Sequence, residues 1–303
     1  MKIALTGATG FIGNYIVREL ISQGHELRCW YRPDSNRDSL QDLAGAIEWL
    51  PGQLADSQST QSLTADVDAV VHNAFWRPGT GFRGAEGDIV EFARVNILGT
   101  LQLIESSIAA NVKRFIFVST CAVHEQILDD RPLDEAHPLW PMTHYGAHKA
   151  AIEKFVHSYG MGLGFPICAL RPTGVYGIRQ SVESSKWFEL INQIVKNQNV
   201  EVSGGGKEVH ASDVARAVGF LLGAKDATGQ AYACYDRYVS QHEVATIAKE
   251  LSGSSSQITG DPKSPKHQIV TDKLQQLGMR FGSTDLLRQT IAQLVEASRS
   301  KNS

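Results

Sequence analysis

Apolar and polar positions along this chain follow two rhythms. Ile3, Ala4 and Leu5 form a short continuous apolar run, and Thr6, Gly7, Ala8, Thr9 and Gly10 break it. From Phe11 onward the spacing becomes helical, through Ile12, Ile16 and Leu20 with Val17 and Ile21 beside them. The pattern predicts a buried strand, a glycine-rich turn and a helix. Strand-like runs recur at Glu26–Trp30, Ile47–Leu50, Ala69–His72, Arg114–Ser119 and Tyr232–Cys234. Helical spacing covers Ile89–Ala110, the stretch from Tyr145 through Ile152, Phe155 and Val156, Trp187–Ile194, Ser240–Ala248 and Thr284–Ala297. Ser203–Lys207, SGGGK, reads as a turn. Strands alternating with helices at this pace imply right-handed crossovers and an α/β, doubly wound parallel sheet. The rhythm weakens from Gln180, which suggests a first domain over residues 1–178 and a smaller C-terminal lobe over 179–303, some of whose segments return to the first domain.

Composition narrows the partners. With 42% hydrophobic residues, 20% charged residues and a formal net charge of -3, the chain is globular and has no basic tract for nucleic acid or a membrane surface. No window approaches the roughly 20 apolar residues needed to span a bilayer. The apolar start ends in glycines that the turn needs, so it does not read as a signal peptide. Cys29, Cys121, Cys168 and Cys234 are too far apart for a C-x-x-C site. Reduced thiols, no metal and a cytoplasmic location are the expectation.

The turn has the spacing G-x-x-G-x-x-G, on Gly7, Gly10 and Gly13. Gly7 allows the tight exit from the strand, Gly10 lets a pyrophosphate approach the backbone, and Gly13 lets the helix pack against the strand. The helix N-terminus offers N–H groups and positive dipole to an anion. Nucleotide binding is therefore expected here, against the alternative of an ordinary strand–turn–helix. The second strand ends in Tyr31, Arg32 and Pro33, and no carboxylate follows until Asp34. Arg32, with Arg37 as a second charge, suits a 2′-phosphate, so NADP is favoured and NAD allowed; the alternative is a solvated loop arginine. After the fourth strand, Phe75, Trp76, Arg77 and Arg83 either line a pocket or belong to a surface loop with Gly79, Gly81, Gly84 and Gly87. Asn96, inside the long helix, is expected to satisfy nearby backbone.

Tyr145 and Lys149 stand four apart in YGAHK, which places both on one helix face. A free phenol has a pKa of ~10, and an ammonium at ~4 Å would lower it by up to ~3 units. Such a tyrosine can take a proton from an alcohol while hydride leaves its carbon. A strand-end hydroxyl, Thr120 first and Ser119 second, would orient the substrate oxygen. His144 and His148 flank the pair and are expected on exposed helix positions, with contact to substrate as the alternative.

These motifs together identify the chain as resembling an extended short-chain dehydrogenase/reductase of the NAD(P)-dependent epimerase/dehydratase family. TGATGFIG (6–13) resembles the family's cofactor turn, VDAVVHNAF (67–75) its fourth strand, and VNILGTLQLIESS (95–107) its central helix. FIFVSTCAVHE (115–125) resembles the strand carrying the catalytic hydroxyl; RPTGVYG (171–177) and VHASDVARAV (209–218) resemble later motifs. The resemblance implies a Rossmann-type sheet with Thr120, Tyr145 and Lys149 catalytic. It implies cofactor contacts at Gly7, Thr9, Gly10, Phe11, Ile12, Gly13, Arg32, Leu54, Asn73, Ala74, Tyr145, Lys149, Pro172 and Val175. Asn73 stands where the family has Leu, His124 and Glu125 replace Tyr-Gly, and Gln53 replaces Asp. A dehydratase of the family would carry Asp-Glu after the catalytic threonine; Cys121 and Ala122 there argue against dehydration. Asp213 reads as a helix-start residue and His210 as structural or substrate-facing. Arg179, Arg237 and Arg280 are candidates for a pyrophosphate. The resemblance implies hydride transfer at a carbon of a sugar-type small-molecule substrate, a nucleotide sugar included, in a homodimer. The alternatives are an NADPH-dependent carbonyl reductase or dehydrogenase on a non-sugar substrate, and a non-catalytic nucleotide sensor.

Overall fold

The computed structural model describes residues 1–79, 84 and 86–302. The predicted Gly81 and Arg83 lie outside the described residues. The first half of the chain runs β1 (Lys2–Thr6), α1 (Phe11–Ser22), β2 (Glu26–Tyr31), β3 (Ile47–Pro51), α2 (Ser57–Thr64) and β4 (Ala69–His72). It continues with α3 (Ile89–Ala93), α4 (Gly99–Ala109), β5 (Arg114–Val118), α5 (His144–His157) and β6 (Ile167–Pro172). There follow β7 (Gly174–Tyr176), α6 (Phe188–Val195), β8 (Val200–Glu201), β9 (Gly205–His210), α7 (Ala211–Gly223) and β10 (Ala231–Cys234). β11 (Arg237–Ser240), α8 (Gln241–Ser252), β12 (Ile258–Thr259), α9 (Asp272–Gln276) and α10 (Ser283–Asn302) complete the chain.

Seven strands form one sheet in the order β10-β6-β5-β4-β1-β2-β3, every pair parallel. Continuous apolar runs explain this: Ile3, Ala4 and Leu5 in β1, Ala69, Val70 and Val71 in β4, and Phe115, Ile116 and Phe117 in β5 are all buried, as strands covered on both faces must be. The order reverses between β1 and β4, so the crevice beyond their carboxyl ends is where such a sheet takes ligands. The helix expected over Ile89–Ala110 is a continuous helical run whose middle, Arg94–Leu98, widens to π geometry. Asn96 sits in that widened turn. SGGGK is not only a turn: from Gly205 it is strand β9.

The chain divides into two compact units. The first comprises Met1–Pro172, Val214–Cys234 and Ile269–Met279. The second comprises Thr173–Asp213, Tyr235–Gln268 and Arg280–Ser303, so the division falls at Pro172 rather than at residue 178. In the second unit β9 pairs antiparallel with β11 and parallel with β7, and a separate apolar core gathers Phe188, Ile191, Ile194, Val244, Leu287, Ile291 and Leu294. No described helix is long and apolar enough to cross a membrane.

Candidate active site

The turn after β1 is shaped by close approach. Gly7 adopts φ +74°, and a Cβ there would stand 2.9 Å from the Ala74 nitrogen. A Cβ at Gly13 would stand 2.0 Å from the Gly7 carbonyl oxygen, so only glycine lets α1 start so near the strand. Thr6 Oγ1 accepts the Asn73 and Ala74 N–H groups (3.1 and 3.0 Å), and Asn73 Nδ2 donates to the Gly7 carbonyl at 3.3 Å. The asparagine that departs from the family pattern thus ties the two turns of the switch point together. α1 follows Gly10 as its N-cap, with no side-chain cap among the described residues, and its N-terminal dipole suits an anion. Thr9, Phe11 and Ile12 stand half-buried at this end. The open Gly10, the uncapped helix and the switch point together fit a dinucleotide pyrophosphate.

His72 closes the floor. Its Nδ1 meets Thr6 Oγ1 at 2.7 Å and its Nε2 meets Thr100 Oγ1 at 2.9 Å. Burial, then the charge of Lys149, push its pKa down to about 3, so it is a neutral strut between β1, β4 and α4.

β5 delivers Thr120, and α5 delivers Tyr145 and Lys149. Thr120 accepts the Ala122 N–H at 3.1 Å and is hydrogen-bonded to the Tyr145 side chain. Ser119 points elsewhere: its hydroxyl donates to Glu153. Lys149 Nζ donates to the Val118 carbonyl at 2.7 Å and lies 4.5 Å from the Phe117 ring centroid. Burial lowers its pKa to about 7, partly offset by Glu153. The phenol of Tyr145 is held above its ordinary value by burial; the Thr120 hydrogen bond and Arg77 pull the other way. The lowering expected from Lys149 is not among the influences on the phenol; its ammonium is turned to the Val118 carbonyl.

His148 corrects the sequence reading. It is 5% exposed, stacks on Phe75 (centroids 5.1 Å, 21°), and burial drives its pKa down to about 2. His144 is exposed, as expected. Asn96 behaves as predicted: its Oδ1 accepts the Trp76 N–H at 2.8 Å and its Nδ2 donates to the Trp76 carbonyl at 2.9 Å, pinning the loop after β4.

Other predicted residues are more dispersed. Arg32 is exposed at the end of β2 and pairs with Asp34 at 3.4 Å. Arg37 lies 4.3 Å over the Tyr31 ring, stacked rather than free to reach a phosphate. Leu54 is buried in the apolar core with Leu63 and Val70. Pro172 ends β6, whereas Val175 lies in the second unit, opposite Val209. Asp213, in the first turn of α7, is fully buried and accepts the Gly282 N–H at 3.0 Å. His210 bonds Ser212 Oγ at 2.6 Å. Arg237 is held by Glu243 and Thr284 at 2.7 and 2.8 Å.

The NAD dependent epimerase/dehydratase family matches residues 3–234. The chain belongs to this family of enzymes. It is 30% identical to the dTDP-glucose 4,6-dehydratase of an Actinoplanes species over 248 residues, 77% of this chain and 75% of that one. Its fold matches the UDP-glucose 4-epimerase of Thermotoga maritima, solved with UDP-glucose, at a TM-score of 0.80 and 22% identity over 100% of both chains. It also matches the UDP-glucuronic acid 4-epimerase of Bacillus cereus, solved with UDP-glucuronic acid and NAD, at 0.78 and 22% over 99% of this chain and 100% of that one.

In this family member a buried network behind Thr120 escaped the sequence reading. Arg171 forms an ion pair with Glu153 at 2.6 Å, their side chains 5% and 3% exposed. The guanidinium also reaches His124 Nε2 and the Glu135 carbonyl, each at 3.1 Å. Two signals pointed to it: Glu153 is one helical turn past Lys149, and Arg171 is the lone charge in an apolar strand. The network also explains His124, which departs from the family pattern: burial beside Arg171 lowers its pKa to about 4, so it accepts from the guanidinium.

Proposed function

We propose that this protein transfers hydride between a nicotinamide dinucleotide and a carbon of a nucleotide-sugar alcohol or ketone, with Tyr145 as the proton-handling group. The carrying observation is the convergence of Thr120, Tyr145 and Lys149 within one unit beside the glycine turn. The family match and the nucleotide sugars named for its relatives support the substrate class. Cys121 and Ala122, where a dehydratase would carry its acid pair, favour epimerisation or simple oxidoreduction over loss of water.

The backbone of Gly7–Gly13 would hold the pyrophosphate, and Asn73 and Ala74 would flank it. The bound dinucleotide supplies the hydride acceptor. Thr120 and Tyr145 would share a hydrogen bond with the reacting oxygen, and the phenol would exchange its proton with that oxygen. Lys149, buried and short of solvent, would stabilise the phenolate once its ammonium turns from the Val118 carbonyl. The second unit would serve as the substrate lobe.

The test is Tyr145→Phe, assayed with NAD and UDP-glucose or UDP-glucuronic acid. Turnover is expected to fall by roughly 10²–10⁴-fold, the worth of a general acid–base, while NAD binding, followed by fluorescence, is retained. Normal turnover by the variant would remove the assigned base.

A further inference from the structure

We propose that Phe75 and His148 form an aromatic brace that fixes the ring of Tyr145, making Phe75 a positioning residue for the reaction. This rests on the reading of Tyr145 as the proton-handling group. The Phe75 ring meets Tyr145 edge-on (5.2 Å, 74°), lies face to face with His148 (5.1 Å, 21°) and meets Phe92 edge-on (5.7 Å, 78°). Lys149 Nζ lies 5.9 Å from its centroid. One side chain therefore touches both members of the Tyr–Lys pair and the histidine between them. His148 closes the cluster, with its ring 5.3 Å from Phe92 and 5.6 Å from Tyr145.

The brace is anchored at both ends. His148 is carried by α5, on the same helix as Tyr145. Phe75 comes from the loop after β4, and the two Asn96–Trp76 hydrogen bonds hold its neighbour in place. The buried Nδ1 of His148 has no hydrogen-bond partner among the described residues, so packing, not a hydrogen bond at that atom, fixes the ring. Edge-to-face and stacked aromatic contacts contribute more than their buried area alone and are sensitive to ring orientation. A tyrosine held by two rings, themselves packed on Phe92, cannot swing its hydroxyl away from Thr120.

The brace also covers one side of the phenol ring. The groups facing the phenol are Thr120 and Cys121 beyond β5, Arg77 from the loop after β4, and His148 on its own helix, while the Lys149 ammonium on that helix is turned to the Val118 carbonyl. Its ionisation midpoint therefore reports on whether the cluster is intact. This midpoint is read from the phenolate ultraviolet band of the full-length protein, as the difference from Tyr145→Phe. Phe75→Ala is expected to move it down toward the free-tyrosine value of about 10, because water reaches the ring. With NAD and UDP-glucose, turnover should fall roughly 10- to 100-fold, the effect of about 1 Å of misplacement, with NAD affinity unchanged.

Phe75→Tyr should keep the wild-type midpoint, and Phe75→Leu should not, each read as the difference from the same variant with Tyr145→Phe added; this pair decides the matter if Phe75→Ala fails to fold by circular dichroism. An unshifted midpoint in Phe75→Ala, or leucine serving as well as tyrosine, would overturn the brace. Full turnover by Tyr145→Phe would instead overturn the catalytic reading. The midpoint needs no substrate, so it judges the brace in either case.

Discussion

At the scale of single residues, cofactor choice turns on Arg32. A 2′-phosphate asks for a cation at the end of β2, and Arg32 stands there with half its side chain exposed (52%). Asp34 competes for the same guanidinium, and Arg37 is committed to the Tyr31 face. The preference for NADP expected from the sequence therefore depends on one arginine. Arg32→Ala is expected to weaken NADP about 10-fold, the worth of a single exposed charge-assisted contact, and to leave NAD unchanged in parallel fluorescence titrations. Equal affinities before and after the change would discard the preference. Residue-level reading located Thr120, Tyr145 and Lys149 in the fold and gave Asn96 its backbone partners, because each position is set locally: a strand end, one helical turn, a helix interior. It failed for His148, because polarity suggests exposure and only the packing of Phe75 and Phe92 around it says otherwise.

At the scale of elements, α5 is fastened to β6 through Glu153 and Arg171. Removing one member of a buried ion pair leaves the other charge without compensation, which costs far more than the pair itself contributes. Glu153→Gln should therefore lower unfolding free energy by about 3 kcal/mol or more, measured from the urea midpoint. The double change Glu153→Leu with Arg171→Met should recover much of that loss. If the single change left the midpoint where it was, the pair would not fasten the helix. The elements themselves were largely legible, since continuous apolar runs mark strands buried on both faces and 3.6-residue spacing marks helices. The π turn at Arg94–Leu98 was not, because a single widened turn leaves the apolar periodicity of the surrounding helix unbroken.

At the scale of the whole molecule, three buried neutral histidines make stability depend on pH. Values near 3 for His72, 2 for His148 and 4 for His124 lie below the 6.5 of the unfolded chain. A depressed value means the unfolded state binds the proton first, so their stabilisation is complete above pH 6.5 and declines as pH falls toward the folded-state values. Each contributes a loss of up to about 1.4 kcal/mol per pH unit. Urea midpoints should accordingly drop steeply between about pH 6.5 and 5, before ordinary carboxylates titrate; a flat profile there would mean these histidines protonate without unfolding. Local pattern alone determined the strand–turn–helix start, the parallel sheet and the sharing of one helix face by Tyr145 and Lys149, because backbone geometry and helical spacing act over a few residues. Only the tertiary structure decided that Arg171 pairs with Glu153, that His148 is buried and that the phenol is clasped by Phe75. Those contacts join residues far apart in the chain, and burial, which sets their energies, belongs to the packed fold rather than to any one segment.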